Sequence, residues 1–449
     1  ARRGRRGPGG TPAPRGLLLA SMALFACGAP LRAQTPAPAP PQSKSILIAG
    51  GTVHVGDGRV IDEGAVGFRE GRIDYVGFAY GVKAAYDTTI DAQGLHVYPG
   101  FILPDSPLGL IEIEQARATV DRQDVGRLEP ELRAISAYKS DSRVTPTIRA
   151  NGVLLAQVAP RGLIIAGTSS VVQLDAWDND GAIVKADEGV WMTWPSAYQR
   201  HGWWAEPGET DREKKDERQK RIEELRAFFR RAKAYADEAE PAVVDARLES
   251  MRGLFTGSKA LFVRADAARE ITEAVLFAKA EGVKRTVIAG GYDAWRVADL
   301  LRDNKVGVIL RRTHSLPMRP DDDIDLPYRL PALLKERGIR FCLGYAGDHE
   351  HAGGRNLPFT AGTARAYGLS SEDALRAITL DAAAILGIDE RCGSLAPGKD
   401  ATLVVSQGDA LDMRGNDVRW AFIQGRRIAL DDHQKQLFRQ YEERLRVGQ

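Results

Sequence analysis

The chain has 449 residues, with 62 Lys and Arg against 60 Asp and Glu, 43% hydrophobic and 27% charged residues. That balance is globular and the length suffices for two or three domains with large cores, so disordered and fibrous classes are excluded. Six arginines and no acid fall within residues 1–33; without them the formal charge of +2 becomes −4, which excludes an electrostatic case for nucleic acid.

In chain order, Arg2, Arg3, Arg5, Arg6 and Arg15 come first, then the apolar run Gly16–Cys27, then Leu31-Arg32-Ala33-Gln34. A charged start, a short apolar stretch and small residues at a cleavage point predict a secretory leader over 1–33, too short to span a membrane. Cleavage near Ala33 is one route; Leu24-Phe25-Ala26-Cys27 offers lipid attachment at Cys27 as another. Both predict an exported, periplasmic or outer-surface protein. Residues 34–45, rich in Pro, form a linker.

Residues 46–98 alternate short apolar segments with Gly-containing turns, as in Thr52-Val53-His54-Val55 before Gly56-Asp57-Gly58, which is hairpin texture. The same texture returns over 391–430, so both ends are expected to build one small β-sandwich. Between them, Leu261–Arg264, Thr286–Ala289, Val306–Leu310 and Phe341–Leu343 alternate with the helical stretches Arg269–Ala280, Ala294–Asp303 and Pro327–Arg337. Strands alternating with helices predict an α/β fold with a parallel sheet and right-handed crossovers. Over 99–390 the natural form is a (β/α)8 TIM-like barrel whose site lies on the loops after the strands. Residues 205–250 read as an inserted, solvated helix with one stripe of Ile222, Leu225, Phe228 and Phe229. A charged C-terminal helix over 431–449 carries Leu437, Tyr441 and Leu445 for packing on the barrel exterior. Trp191, Trp194, Trp203 and Trp204 cluster before the insertion as a packing or oligomer surface. Outside the leader only Cys342 and Cys392 remain, enough for one bridge but not a disulfide framework.

Several short motifs recur in a familiar order: Gly50-Gly51-Thr52-Val53, Gly71-Arg72-Ile73, Asp91-Ala92-Gln93-Gly94 into Pro99-Gly100-Phe101-Ile102, then Gly368-Leu369-Ser370, Ala374–Thr379 and Gly393-Ser394-Leu395 with Pro397–Ala401. On these the chain resembles the amidohydrolase superfamily, particularly imidazolonepropionase-like members, over roughly 45–430. The resemblance implies a (β/α)8 barrel with a composite β-sandwich, and hydrolysis of non-peptide carbon–nitrogen bonds by metal-activated water. It also implies metal ligands at a His-x-His after strand 1, at His after strands 5 and 6, and at Asp after strand 8. In this chain those positions hold Asp105 and Pro107, Arg264, Ala289 or Gly290, and Ala346. The usual set is therefore largely replaced.

Other ligating residues follow strands. His314 follows Val306–Leu310, and Asp348-His349-Glu350-His351 follows Phe341–Leu343. Asp105, His349 and His351 are candidate ligands for at most one zinc-like divalent ion, with Asp348 and His314 as candidate catalytic acid and base. The stretch Arg311–Asp323 reads as an anion clamp or a salt-bridged loop. Gly290–Trp295 reads as a ligand cradle or a turn with Asp293 capping the next helix. Three readings stay open. One is an exported amidohydrolase with a reshaped site for a small-molecule or short-peptide ligand. The second is a non-catalytic member acting as a homo-oligomer or beside an active paralogue. The third is a metal-independent barrel enzyme using Asp348 and His314.

Overall fold

A computed structural model of the chain describes residues 37–197, 211–347 and 350–447. The leader 1–33, Trp203, Trp204, Asp348 and His349 lie outside these residues.

Two eight-stranded sheets organise the fold. The first contains β1 (Ile46–His54), β2 (Val60–Arg69), β3 (Arg72–Phe78), β4 (Thr88–Asp91) and β5 (His96–Pro99). The second runs through β6 (Phe101–Ser106), β7 (Val153–Val158), β8 (Ile165–Gln173), β9 (Ile183–Thr193), β10 (Ala260–Ala265), β11 (Thr286–Gly290), β12 (Gly307–Leu310) and β13 (Phe341–Leu343). β14 (Leu403–Ser406), β15 (Val418–Ile423) and β16 (Arg426–Arg427) return to the first sheet.

In the first sheet β14 pairs with β5 in the register Leu403↔Pro99 to Ser406↔His96, so strands from both chain ends share one ladder. Its order is β16-β15-β14-β5-β1-β2-β3, with β4 on β1. Phe68 on β2 and Phe422 on β15 are separated by three strands, yet their rings meet edge-on at 5.2 Å. The sheet therefore curls around Ile48, Val53, Val66, Val97, Leu403 and Val405, all buried. His54 fastens it to the barrel's flank, its Nδ1 lying 2.8 Å from Glu372 Oε1.

The second sheet follows the order β6 to β13 and is nearly closed into a barrel. Between β13 and β6 the gap is bridged by Ala377 and Ile378, whose carbonyls accept from the Leu343 and Ile102 amides, each at 2.9 Å. One strand departs from the parallel expectation: β8 runs antiparallel to both β7 and β9. The connection from β7 to β8 spans only 159–164, too short for the crossover a parallel strand needs. Ile102, Leu155, Val171, Trp191, Phe262, Ile309 and Cys342 form one buried cluster with the helix Leu380–Leu386. Cys342 and Cys392 are both buried and free.

The helix Asp211–Asp237 is not a solvated insertion. Ile222, Leu225, Phe229 and Ala232 are buried along one face, and Phe229 meets Phe277 of the barrel helix Ala268–Ala280 at 5.1 Å. Trp191 stacks on Phe262 and Trp194 abuts Phe277, so both are core residues rather than surface ones. The C-terminal helix His433–Val447 differs in the other direction: Tyr441 and Leu445 are exposed rather than packed on the barrel. No helix among the described residues is long and apolar enough to cross a membrane.

Candidate functional site at the barrel mouth

The C-terminal ends of β6, β7, β10, β11, β12 and β13 and the N-terminal end of β8 open on one face of the barrel. Asp105 sits there at the end of β6 with φ of +48°, a left-handed conformation rare for a residue with a side chain. Its Oδ1 accepts from Arg161 Nη1 at 2.9 Å and from Arg264 Nη2 at 2.8 Å. Arg161, in the β7–β8 connection, turns its other edge to Glu350, donating from Nε at 3.0 Å and Nη2 at 2.8 Å. Arg264, on β10, also donates to Pro160 O at 3.1 Å and lies 4.2 Å from the Trp191 ring centroid. Cation, carboxylate and aromatic face thus form one half-buried lattice. Burial alone would raise the Asp105 carboxyl; Arg161 and Arg264 overcome it and hold it below the usual carboxylate range. Burial, then the Arg161 charge, pushes the Arg264 guanidinium down to about 10, so it stays cationic at neutral pH.

Beneath this lattice the barrel interior is polar. Gln157 Oε1 accepts from the Asp105 amide at 3.0 Å while its Nε2 donates to Glu188 Oε1 at 2.8 Å. Ser169 accepts from Trp191 Nε1 at 2.8 Å and donates to the same Glu188 oxygen at 2.5 Å. Glu188 reaches this position through a bulge. Ser169 pairs with Gly189 and Val171 with Lys185, so three residues of β9 oppose one of β8, and Asp187 takes φ of +50°. Burial raises the Glu188 carboxyl to about 7.

Beside the lattice lies a cavity of about 370 Å³, lined by Asp266, Gly290, Tyr292, Arg311, Arg312 and Thr313 among others. Asp266 follows β10 directly and receives Arg311 Nη1 at Oδ2, 3.2 Å away. Its Oδ1, Arg312 Nε and Thr313 Oγ1 are buried with no hydrogen-bond partner among the described residues. Gly290 makes room for that carboxylate: a Cβ there would fall 2.5 Å from Asp266 Oδ1, and its φ of +113° disfavours any side chain. Burial raises the Asp266 carboxyl, opposed in part by Arg311.

The residues singled out by sequence separate here. Asp105 lies in the ion lattice. His351 is buried in the short helix Glu350–Gly353, whose first residue is paired with Arg161. His314 points elsewhere: its Nε2 meets Thr363 Oγ1 at 2.5 Å on the helix Leu357–Ala366, and its ring faces Tyr328. Thr313 and Ser315 line the cavity, and His314 is not among its lining residues. Asp293 does not cap the turn that follows it. It accepts from the Ala268 amide at 3.2 Å, at the start of the preceding helix, and is clamped by Arg319 Nη1 at 2.9 Å and Nη2 at 2.6 Å. Of the Arg311–Asp323 stretch, Arg319 is therefore a loop anchor, whereas Arg312 faces the cavity. Asp266 escaped sequence reasoning, although a carboxylate immediately after a barrel strand was the available signal. Among the described residues no group of three or more His, Cys, Asp or Glu could hold a metal ion.

Residues 328–428 match the model of the amidohydrolase family. No curated protein matches the chain. Among solved structures, an amidohydrolase from Thermotoga maritima superposes with a TM-score of 0.74 at 24% identity, covering 86% of this chain and 99% of its own. A putative prolidase from Bifidobacterium longum gives 0.52 at 16% identity, with coverage of 86% and 94%. An adenosine deaminase from Xanthomonas campestris with bound zinc gives 0.50 at 17%, with coverage of 91% and 100%. The chain thus has the fold of these barrel proteins, and over residues 328–428 it carries the amidohydrolase family's sequence pattern.

Proposed function

We propose that this chain is an amidohydrolase-superfamily protein whose barrel mouth binds a small molecule and whose metal position has been taken over by fixed cations. The observation that carries the reading is the Arg264 guanidinium, bonded to Asp105 at the end of β10 where the superfamily places a histidine ligand. A divalent ion sheds water only if several protein atoms replace it. The positions that resemblance assigns hold Asp105, Pro107, Arg264, Gly290 and Ala346. Four of these have no ligating atom in the side chain, and the fifth already holds two guanidiniums. That donor set does not fit a metal centre, and no hydrolytic step is derived through one. Export through the leader, and work as a homo-oligomer or beside an active paralogue, belong to the same proposal.

A second reading keeps carbon–nitrogen bond hydrolysis, with one zinc-like ion held by the Asp348–His351 segment. The Arg161–Glu350 pair favours it, because that pair holds Glu350 at the mouth. Elemental analysis of purified, dialysed protein decides between them. Less than about 0.1 equivalent of transition metal per chain is expected on the ligand count. A full equivalent that His351→Ala removes would overturn the first reading and establish the second.

A further inference from the structure

We propose that the C-terminal helix His433–Val447 is a membrane-docking element that lays an apolar stripe on a bilayer surface rich in anionic lipid. This rests on the export reading above and names the surface that the exported chain meets. Leu437, Tyr441 and Leu445 recur at every fourth residue and Phe438 stands beside them, so the four share one side of the helix. All four are exposed, Phe438 by 68% and Leu445 by 70%. A helix of a folded chain ordinarily turns such a stripe to the core. This one is tied to the body at its first turn instead. The buried Asp432 accepts from the Lys435 amide at 2.9 Å, and Thr147 Oγ1 donates to Gln434 Oε1 at 3.0 Å.

Charge, area and position name the occupant. The helix carries Lys435, Arg439, Arg444 and Arg446 against Glu442 and Glu443, a local surplus of cations in a chain whose formal charge after residue 33 is −4. At about 100° per residue, Arg444 and Lys435 flank the stripe on opposite sides. Interfacial helices have this form: the apolar face enters the headgroup boundary while flanking cations reach anionic headgroups. A second copy is a poorer fit. Even a fully covered aromatic buries only about 150–250 Å², so four partly exposed side chains fall short of the roughly 800 Å² that each partner gives to a stable pair. The start of the folded chain also lies on this side. The Ala39 amide donates to Asp175 Oδ2 at 2.9 Å, and its carbonyl accepts from Arg426 Nη1 at 3.0 Å. Asp175 also holds Arg149, the last residue of the helix Thr145–Arg149 whose Thr147 meets Gln434. Cys27, the candidate for lipid attachment, precedes Ala39 by twelve residues, a reach of at most about 40 Å. A lipid there keeps this side of the molecule near the bilayer.

Amide hydrogen exchange of the full chain tests this, with vesicles of phosphatidylcholine alone and of phosphatidylcholine mixed with an equal part of phosphatidylglycerol. Anionic vesicles are expected to slow exchange over 433–447. Half-maximal protection should need at least about fivefold less lipid with them than with neutral vesicles, the effect of a single cation near the surface. Phe438→Glu with Leu445→Glu should remove the protection, and Lys435→Gln with Arg444→Gln should shrink the anionic preference. Unchanged thermal unfolding shows both variants folded, and residues 1–33 are common to all, so the differences report the helix. No protection with either vesicle, equal lipid requirements for the two, or protection that survives Phe438→Glu with Leu445→Glu would each overturn the inference. Protection that arises without vesicles as protein concentration rises would give the stripe to a second copy and overturn it too. Failure of the export reading looks different: native protein recovered from the cytosol with residues 1–33 intact refutes it whatever the vesicles show.

Discussion

Arg264 Nη2 stands 2.8 Å from Asp105 Oδ1, joining the end of β10 to the end of β6 across the barrel mouth. Arg161 holds the same oxygen from the β7–β8 connection, so one carboxylate bridges two guanidiniums, and Glu350 supplies the second negative charge that balances them. Opposite charges in a half-buried site gain from low dielectric only while every member is present. The two cations are close enough that Arg161 lowers the basicity of Arg264, which is the cost the arrangement carries.

Removing the shared member should therefore hurt most. Asp105→Ala leaves two guanidiniums facing each other and is expected to destabilise by about 3–5 kcal/mol. Arg264→Ala leaves Asp105 on Arg161 and should cost less, though it also strips a cation from Trp191. Urea unfolding of the three proteins checks the order. If Arg264→Ala is the worse variant, the lattice is not organised around Asp105.

The ladder between β5 and β14 makes the first sheet a product of both chain ends. A chain cut after Gly387 loses β14, β15 and β16, and with them Leu403, Val405 and Phe422 from the core around Phe68. Amide hydrogen exchange should then show lost protection in β1 and β5 as well as in the deleted part. Native-like protection over 46–54 in that truncation would mean that the N-terminal strands form a core of their own.

The barrel half over β10–β13 is legible because parallel strands covered on both faces read as plain apolar runs, such as Leu261-Phe262-Val263 and Val308-Ile309-Leu310. β7, β8 and β9 are not, because Gln157, Ser169, Ser170, Gln173 and Glu188 are buried and break the apolar signal. Gln157, Ser169 and Glu188 bond to one another, and Ser170 and Gln173 to neighbouring backbone, which a linear pattern does not reveal. Strand ends locate the mouth but not the direction of each side chain. Strand ends thus mark Arg264 and Asp105, but nothing in the sequence shows that the His314 ring turns to Thr363. Asp266 went unnoticed beside the more conspicuous Arg264.

The helix Asp211–Asp237 looked solvated because charge dominates its composition, yet the stripe through Leu225 and Phe229 is fully buried. Phe229→Ala should cost about 3–5 kcal/mol by cavity formation against Phe277. Lys220→Ala, on the exposed side, should change stability by less than about 0.5 kcal/mol. Thermal unfolding separates the two. Equal, small effects would return the helix to a loosely attached insertion.

Glu188 gives the fold a specific pH response. Its carboxyl ordinarily titrates near 4.5 and in the folded barrel near 7, because burial outweighs the hydrogen bonds from Ser169 and Gln157. Between those values the folded chain holds a proton that the unfolded chain has lost. Stability contributed by this group is thus complete below pH 4.5 and falls as pH rises through 7, by up to about 3 kcal/mol at 1.36 kcal/mol per unit. Asp105 acts with the opposite sign but at lower pH. Its folded value is depressed, so its contribution is present above 3.8 and lost only as pH falls below that. The two windows do not overlap. Glu188→Gln keeps an acceptor for Ser169 and Gln157 and cannot titrate, so the variant should lose the fall between pH 4.5 and 7 and exceed the parent in stability above pH 7. Urea unfolding of both proteins at half-unit intervals measures the difference, and parallel curves across that window would show that Glu188 is ionised throughout.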